Sequence, residues 1–190
     1  MARYSAGHKD ATRRRMVEAA GPRCKRDGID GSGIATLMSD AGLTNGAFYA
    51  HFASKNDLIA TVVTDQLATQ YAAIGALPPG WPALERFVRD YLSPEHRDDP
   101  ASGCPSAALL DEITRCDNAT RQAYTNGIGP IIDLISRRLN QDDPDLARDR
   151  AIGMFTVLVS TLQLARAVTD RDLSDRILAA GIENAIALAA

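Results

Sequence analysis

The sequence predicts an all-α protein of about nine helices, the first three forming a small head and the rest a larger body. Three observations carry this. Apolar residues recur at i, i+3, i+4 and i+7 in successive windows, the period of a helix with one buried face. Helix start and stop signals (Gly, Pro, Asp and Ser) separate those windows. No stretch shows the period-2 alternation of a half-buried strand or a strand-hairpin signal. With 190 residues, 45% of them hydrophobic and 24% charged, the chain is neither disordered nor fibrous, and it can hold a small domain joined to a larger one.

Residues 1–8 read as a flexible arm. From Lys9 to Asp27 a first helix is expected, with Met16, Val17, Ala20 and Cys24 inward and a basic outer side. Arg13, Arg14 and Arg15 would crowd its first turns against the helix dipole, a conflict that a phosphate would relieve. Gly21-Pro22 should kink it, because Pro22 has no N–H for the carbonyl of Glu18. After the turn-rich link Gly28–Gly33, Ile34, Leu37, Met38 and Ala41 give a short second helix that Gly42 can end in a left-handed conformation.

The stretch Gly42–Lys55 is the focus of the chain. Thr44 offers a hydroxyl to cap a third helix, whose Phe48 and Phe52 share the inner face. Asn45, Gly46, Ala47, Tyr49, Ala50 and His51 are left outward, all small or hydrogen-bonding. A helix of roughly eight residues at 1.5 Å rise matches the width of the DNA major groove. Ser54-Lys55-Asn56-Asp57 then opens a fourth helix with a capping-box-like signal. Lys55 opposes the dipole of that helix, which makes sense if an anion rests at its N-terminus.

The body follows. The fourth helix, 55–74, joins head (1–54) to body (55–190), since no linker separates them, and Leu77-Pro78-Pro79-Gly80 breaks the chain after it. Trp81-Pro82 starts a fifth helix with Leu84, Phe87, Val88, Tyr91 and Leu92 as its stripe. Ser93–Gly103 reads as a loop, and Pro105–Arg115 as a sixth helix. Asp117 or Asn118 caps a seventh reaching Leu139, which Gly127, Gly129 and Pro130 should bend or break. Asp143-Pro144 opens an eighth helix reaching about Val168, apolar nearly all round and so buried on several sides. Leu173–Ala189 makes a ninth, with Leu178, Ile182, Ala185, Ile186 and Ala189 in one stripe.

Charge is uneven. Eight Lys/Arg against two acids in residues 1–26 give +6 and leave −9 for the remainder of a chain whose net charge is −3. A basic head on an acidic body suggests that only the head meets a polyanion. Cys24, Cys104 and Cys116 fit neither a disulfide framework nor a CxxC metal spacing, so no cofactor or metal is expected. The polar opening decapeptide is no signal peptide, and the longest uncharged run, Ala151–Ala165, is too short and polar to span a bilayer. A cytoplasmic protein is expected.

Thr12-Arg13, Met16-Val17-Glu18-Ala19-Ala20, Gly28, Ile34-Ala35, Ala41-Gly42-Leu43, Phe48-Tyr49-Ala50-His51-Phe52 and Ser54-Lys55 stand in the order and spacing of the TetR (tetracycline-repressor-like) family. This resemblance covers about residues 10–63. It departs at Cys24, where the family usually has a large aromatic, and at Gly21-Pro22. It implies a helix-turn-helix dimer that leaves its double-stranded operator when a small molecule binds the body. On matching positions it makes Thr44, Asn45, Gly46 and His51 groove contacts, Tyr49 a groove or phosphate contact, and Arg13, Arg14 and Lys55 phosphate contacts. A homodimer through helices eight and nine would cover faces that one body leaves bare. Two reading helices about one DNA turn apart, or a multiple of it, then predict a pseudo-palindromic operator.

Trp81, Phe87, Tyr91, Tyr124 and Phe155, with Gln163 among nearby polar groups, could line a body pocket for a small, mostly apolar effector. Gly103-Cys104-Pro105-Ser106 places a thiol at a helix start, where the dipole lowers its pKa. A thiol-based redox-sensing regulator acting through Cys104 is therefore the alternative. An enzyme is not expected: His8, His51 and His96 are scattered, and no nucleophile or paired carboxylates stand in a recognisable constellation.

Overall fold

The computed structural model describes residues 2–139 and 142–188, with the backbone alone for residues 2–6. Among these residues there are no strands. The helices are α1 (Ala2–Asp27), α2 (Ile34–Asp40), a 3-10 helix (Asn45–Ala50), α3 (Lys55–Gly75), α4 (Trp81–Tyr91), α5 (Pro94–Asp98), α6 (Pro105–Ile113), α7 (Asn118–Ser136), α8 (Pro144–Ala167) and α9 (Arg171–Ala187).

Capping sets most of these boundaries. At the end of α2, Gly42 has φ +63°, the Gly42 N–H donates to the Ser39 carbonyl (2.9 Å), and the Leu43 N–H reaches Met38 (2.8 Å). This is a Schellman closure, open to Gly because it has no Cβ to clash. Ser54 caps α3 by accepting from the Asp57 N–H at 3.2 Å, while the Asp57 carboxylate reaches back to the Ala53 N–H at 3.0 Å. Asp117, Asp143 and Asp170 cap α7, α8 and α9 in the same way.

Several expectations are corrected. The N-terminal arm is helical from Ala2, because nothing before Gly7 breaks a helix and one glycine costs only about 1 kcal/mol. Arg13, Arg14 and Arg15 consequently lie mid-helix, away from the dipole's positive end. The helix also runs through Pro22 without interruption. A Cβ at Gly21 would lie 2.6 Å from Gln66 Nε2, so the absence of a side chain there lets α1 approach α3. The third helix is a six-residue 3-10 helix, and the Thr44 side chain does not cap it. Ser93–Gly103 is not all loop: Ser93 Oγ accepts from the His96 N–H and Pro94 sits at the first position of α5. Gly127, Gly129 and Pro130 do not break α7, which Gly127 anchors by direct contact with Leu67 of α3. The seventh helix stops at Ser136, before Leu139. Ala189 lies outside the described residues.

The apolar core runs without a gap from Met16, Phe48 and Phe52 to Leu178 and Ala185. In the head, the Phe48 and Phe52 rings stack at 5.8 Å and are essentially unexposed, each burial contributing roughly 1.5–3 kcal/mol. In the body, α3 lies along α7 and α8 along α9, where Gly181 sits against Thr161. The eighth helix is less buried than its sequence implies, since Ile152, Thr156, Ser160 and Leu164 form an exposed stripe. The Thr156 and Ser160 hydroxyls donate back to their own helix, to Ile152 and Thr156. Leu178 and Ala185 of the expected α9 stripe are buried within the chain, and Ile182 and Ile186 are half-buried.

Head and body meet at more than α3. The Lys25 ammonium of α1 donates to the Gly103 carbonyl at 2.9 Å. Glu112 of α6 accepts from the Asp30 N–H at 3.1 Å and abuts Gly28, whose φ is +82°.

Candidate functional site

The 3-10 helix is held from below and open from above. Phe48 anchors it in the core, and the Tyr49 ring meets Phe48 edge-on at 5.1 Å while remaining 70% exposed. Thr44, Asn45, Gly46, Tyr49 and Ala50 all face solvent. A Cβ at Gly46 would meet nothing within 4 Å, so the small residue frees space outside the protein rather than inside it. This is low-bulk surface with hydrogen-bonding tips.

Basic residues border this surface. His51 is half-buried, with its Nδ1 buried and without a hydrogen-bond partner. Burial, followed by the charges of Lys9, Arg13 and His8, lowers its pKa, and Arg13 of α1 over the Phe52 ring sets the basic side of α1 beside the 3-10 helix. Arg14 is exposed, whereas Arg13 is committed: its guanidinium lies 4.4 Å from the Phe52 centroid and donates to Thr61 Oγ1 at 3.1 Å. Lys55 stands at the first position of α3, half-buried. Arg23 and Arg26, by contrast, are paired with carboxylates. Arg23 forks onto Asp40 (2.6 and 2.8 Å) and bonds Asp27 (2.7 Å), which Arg26 also engages. The two arginines hold the Asp27 carboxyl well below the usual carboxylate range. Composition alone could not separate these paired cations from the free ones.

A second feature lies where α1, α3, α4 and the start of α6 converge. A cavity of about 320 Å³ is bounded by Lys25, Gln70, Phe87, Tyr91, His96 and Cys104, among others. Of the pocket residues expected from sequence, it contains Phe87 and Tyr91. Tyr124 lines a separate surface cleft and donates to Ser106 Oγ at 2.9 Å, while Trp81, Phe155 and Gln163 are not among the residues bounding the cavity. Trp81 packs on the core edge, and Phe155 is buried in the core itself.

The polar groups here are tightly ordered. The Cys104 N–H donates to His96 Nε2 at 3.0 Å, so that nitrogen is unprotonated. Nδ1 then carries the proton and donates to the Tyr91 carbonyl at 2.7 Å, fixing a neutral tautomer. Burial lowers the His96 pKa accordingly. The Cys104 thiol, 6% exposed, accepts from Gln70 Nε2 at 3.2 Å. Tyr91 is buried and its hydroxyl has no partner. Lys25 is buried and its pKa is lowered by desolvation. Its position was legible: Val17, Ala20, Gly21, Cys24 and Lys25 are one i, i+3, i+4, i+7, i+8 stripe.

No described helix is long and apolar enough to cross a membrane, and no cluster of described His, Cys, Asp or Glu side chains could hold a metal. No family model matches the sequence, and no curated protein matches it. Solved structures do match. The reduced form of E. coli NemR superposes with a TM-score of 0.77 at 17% identity, covering 92% of this chain and 95% of that one. A TetR-family transcriptional regulator from Cytophaga hutchinsonii gives 0.72 at 18% identity, over 95% of this chain and 96% of that one. The transcriptional regulator FadR from Bacillus subtilis, in complex with stearoyl-CoA, gives 0.64 at 14% identity, over 93% and 97%. Along nearly all of its length the chain has the fold of the TetR-family transcriptional regulators.

Proposed function

We propose that the protein is a cytoplasmic, ligand-responsive transcriptional repressor that binds a pseudo-palindromic operator as a homodimer and leaves it when a small molecule enters the body. One observation carries this reading: a projecting turn of small and hydrogen-bonding residues, Thr44–Ala50, is bordered by the basic side of α1 and by Lys55. Asn45, Gly46, Tyr49 and His51 face the groove edges, while Arg14 and Lys55 take the phosphates. Arg13 supports the surface through Phe52 and can share a phosphate only at the edge of its guanidinium. The exposed α8 stripe Ile152, Thr156, Ser160 and Leu164, with Ile182 and Ile186 of α9, supplies the two-fold interface. Residues 1–54 act as the DNA-binding part and 55–190 as the effector and dimerisation part, with α3 common to both.

The test is fluorescence anisotropy on DNA from the promoter region beside the protein's own gene, at several salt concentrations. Steep weakening with salt, concentrated on a palindromic segment, is expected. Affinity indifferent to ionic strength would overturn the reading.

A second reading is favoured by the position of Cys104, whose thiol lines the cavity within reach of Gln70. In it, oxidation of Cys104 releases DNA. Mild oxidant should then dissociate the complex, and Cys104→Ser should abolish that response. Burial pushes the Cys24 thiol up to about 11, so Cys24 is a poor competitor for oxidant.

A further inference from the structure

Two independent features converge on the junction cavity. Lys25 places an ammonium there that is 8% exposed and whose hydrogen bond goes to a neutral carbonyl, Gly103 O, rather than to a carboxylate. A buried cation without a direct ion-pair partner is costly. Tyr91 is 5% exposed, bounds the same cavity, and holds a hydroxyl with no partner. The α6 helix, nine residues long, begins at the cavity wall, where the Gly103 N–H is spent on the Pro100 carbonyl, the Cys104 N–H on His96, and Pro105 has none, so it contributes the positive end of its dipole rather than a hydrogen bond. The remaining wall is apolar, led by the Phe87 ring, which lies 5.8 Å from that of Tyr91.

The nearby acids do not fill the role. Asp99 adds negative potential at Lys25 but makes no ion pair with it and hydrogen-bonds Ser102 instead, and Asp90 stands exposed at the rim. Arg166, which adds positive potential at Lys25, spends its guanidinium on the His96, Arg97 and Ala107 carbonyls. The volume, about 320 Å³, equals the liquid share of roughly ten waters.

We propose that this cavity is the effector site and that it takes a small, ionised carboxylic acid with an apolar body, its carboxylate held by Lys25 and Tyr91 near the positive end of α6 and its apolar part against Phe87. The inference rests on the ligand-responsive reading above and names the chemistry of its effector. Because Lys25 belongs to α1 and the other groups to the body, the bound carboxylate is gripped from both sides of the junction. It therefore binds one head position better than another, which is the condition for shifting DNA affinity.

The test is calorimetric titration of the full-length protein, without DNA, using a ladder of carboxylates from benzoate to 2-naphthoate and hexanoate to decanoate, each against its primary amide. At least one acid is expected to bind ten-fold or more tightly than its amide. Lys25→Met, which keeps the packed stem, should abolish that preference, and Tyr91→Phe should weaken the acid several-fold with no loss of thermal stability. Acids and amides binding alike, a preference that survives Lys25→Met, or no acid binding at all would each overturn the proposal. DNA anisotropy with the same acid separates the two claims. Carboxylate binding that leaves DNA affinity unchanged keeps the site and removes the ligand-responsive reading. DNA release that ignores Lys25→Met does the reverse.

Discussion

Lys55→Ala and Arg13→Ala, two losses of one positive charge near the same surface, should have opposite signatures. Lys55 is half-buried but begins α3 with its charge opposing the helix dipole, so its removal should leave stability within about 0.5–1 kcal/mol. In a dimer it removes two phosphate contacts. At about 0.9 per contact, the slope of log affinity against log salt should fall by roughly 2. A four-fold rise in salt would then weaken the variant about ten-fold less than the parent. Arg13 instead packs on Phe52 at 4.4 Å and donates to Thr61. Losing a cation–π contact and a hydrogen bond should cost about 1–3 kcal/mol of stability, with a smaller change of slope. Anisotropy titrations from 50 to 200 mM salt and urea melts measure both quantities. An unchanged slope in Lys55→Ala would refute the phosphate assignment, whatever happens to affinity at a single salt.

Four further outcomes are expected. Gly127→Ala should destabilise by about 1–3 kcal/mol, because its Cβ would lie 2.8 Å from the Leu67 Cβ, whereas Gly129→Ala, with open space around it, should stabilise by about 0.5–1 kcal/mol in the same urea melt. Acidification below pH 6.5 should lower the urea midpoint: the unfolded chain protonates His96 there, the folded chain only at lower pH, so unfolding takes up a proton. His51 adds to the same trend, and His96→Gln should flatten it, well above the range where Asp27 and Asp98 titrate. Ile152→Glu combined with Leu164→Glu should yield a monomer by light scattering and lose operator binding without unfolding. Tyr49→Ala should relax sequence preference while leaving the salt slope within about 1 of the parent.

The elements were legible where capping chemistry was local. Gly42, Ser54, Asp117 and Asp143 mark their helix ends by hydrogen bonds within a few residues, and each does so in the structure. What escaped depended on distant partners. Gly127 looks like a helix breaker until Leu67 is seen filling the space beside it. Thr44 and Asn45 look like an α-helix start, but the chain between Gly42 and Ser54 is short enough that the 3-10 form fits. The candidate groove surface was visible because its outward residues are consecutive in sequence. The cavity was not, because Lys25, Gln70, His96 and Cys104 come from four separate segments. Lys25 was masked further by its basic neighbours, although its register on the α1 stripe places it inside.

The two bonds that α1 and its following turn make to the α6 region, Lys25 to Gly103 and Asp30 to Glu112, bracket that short helix near its opposite ends. Together with α3 they fix the N-terminal unit at three points, and a body pinned at three points cannot pivot freely about any one of them. In the dimeric repressor proposed above, its attitude toward a duplex would follow wherever α6 is carried, and these nine residues would be the crank that adjusts the separation of the two reading turns.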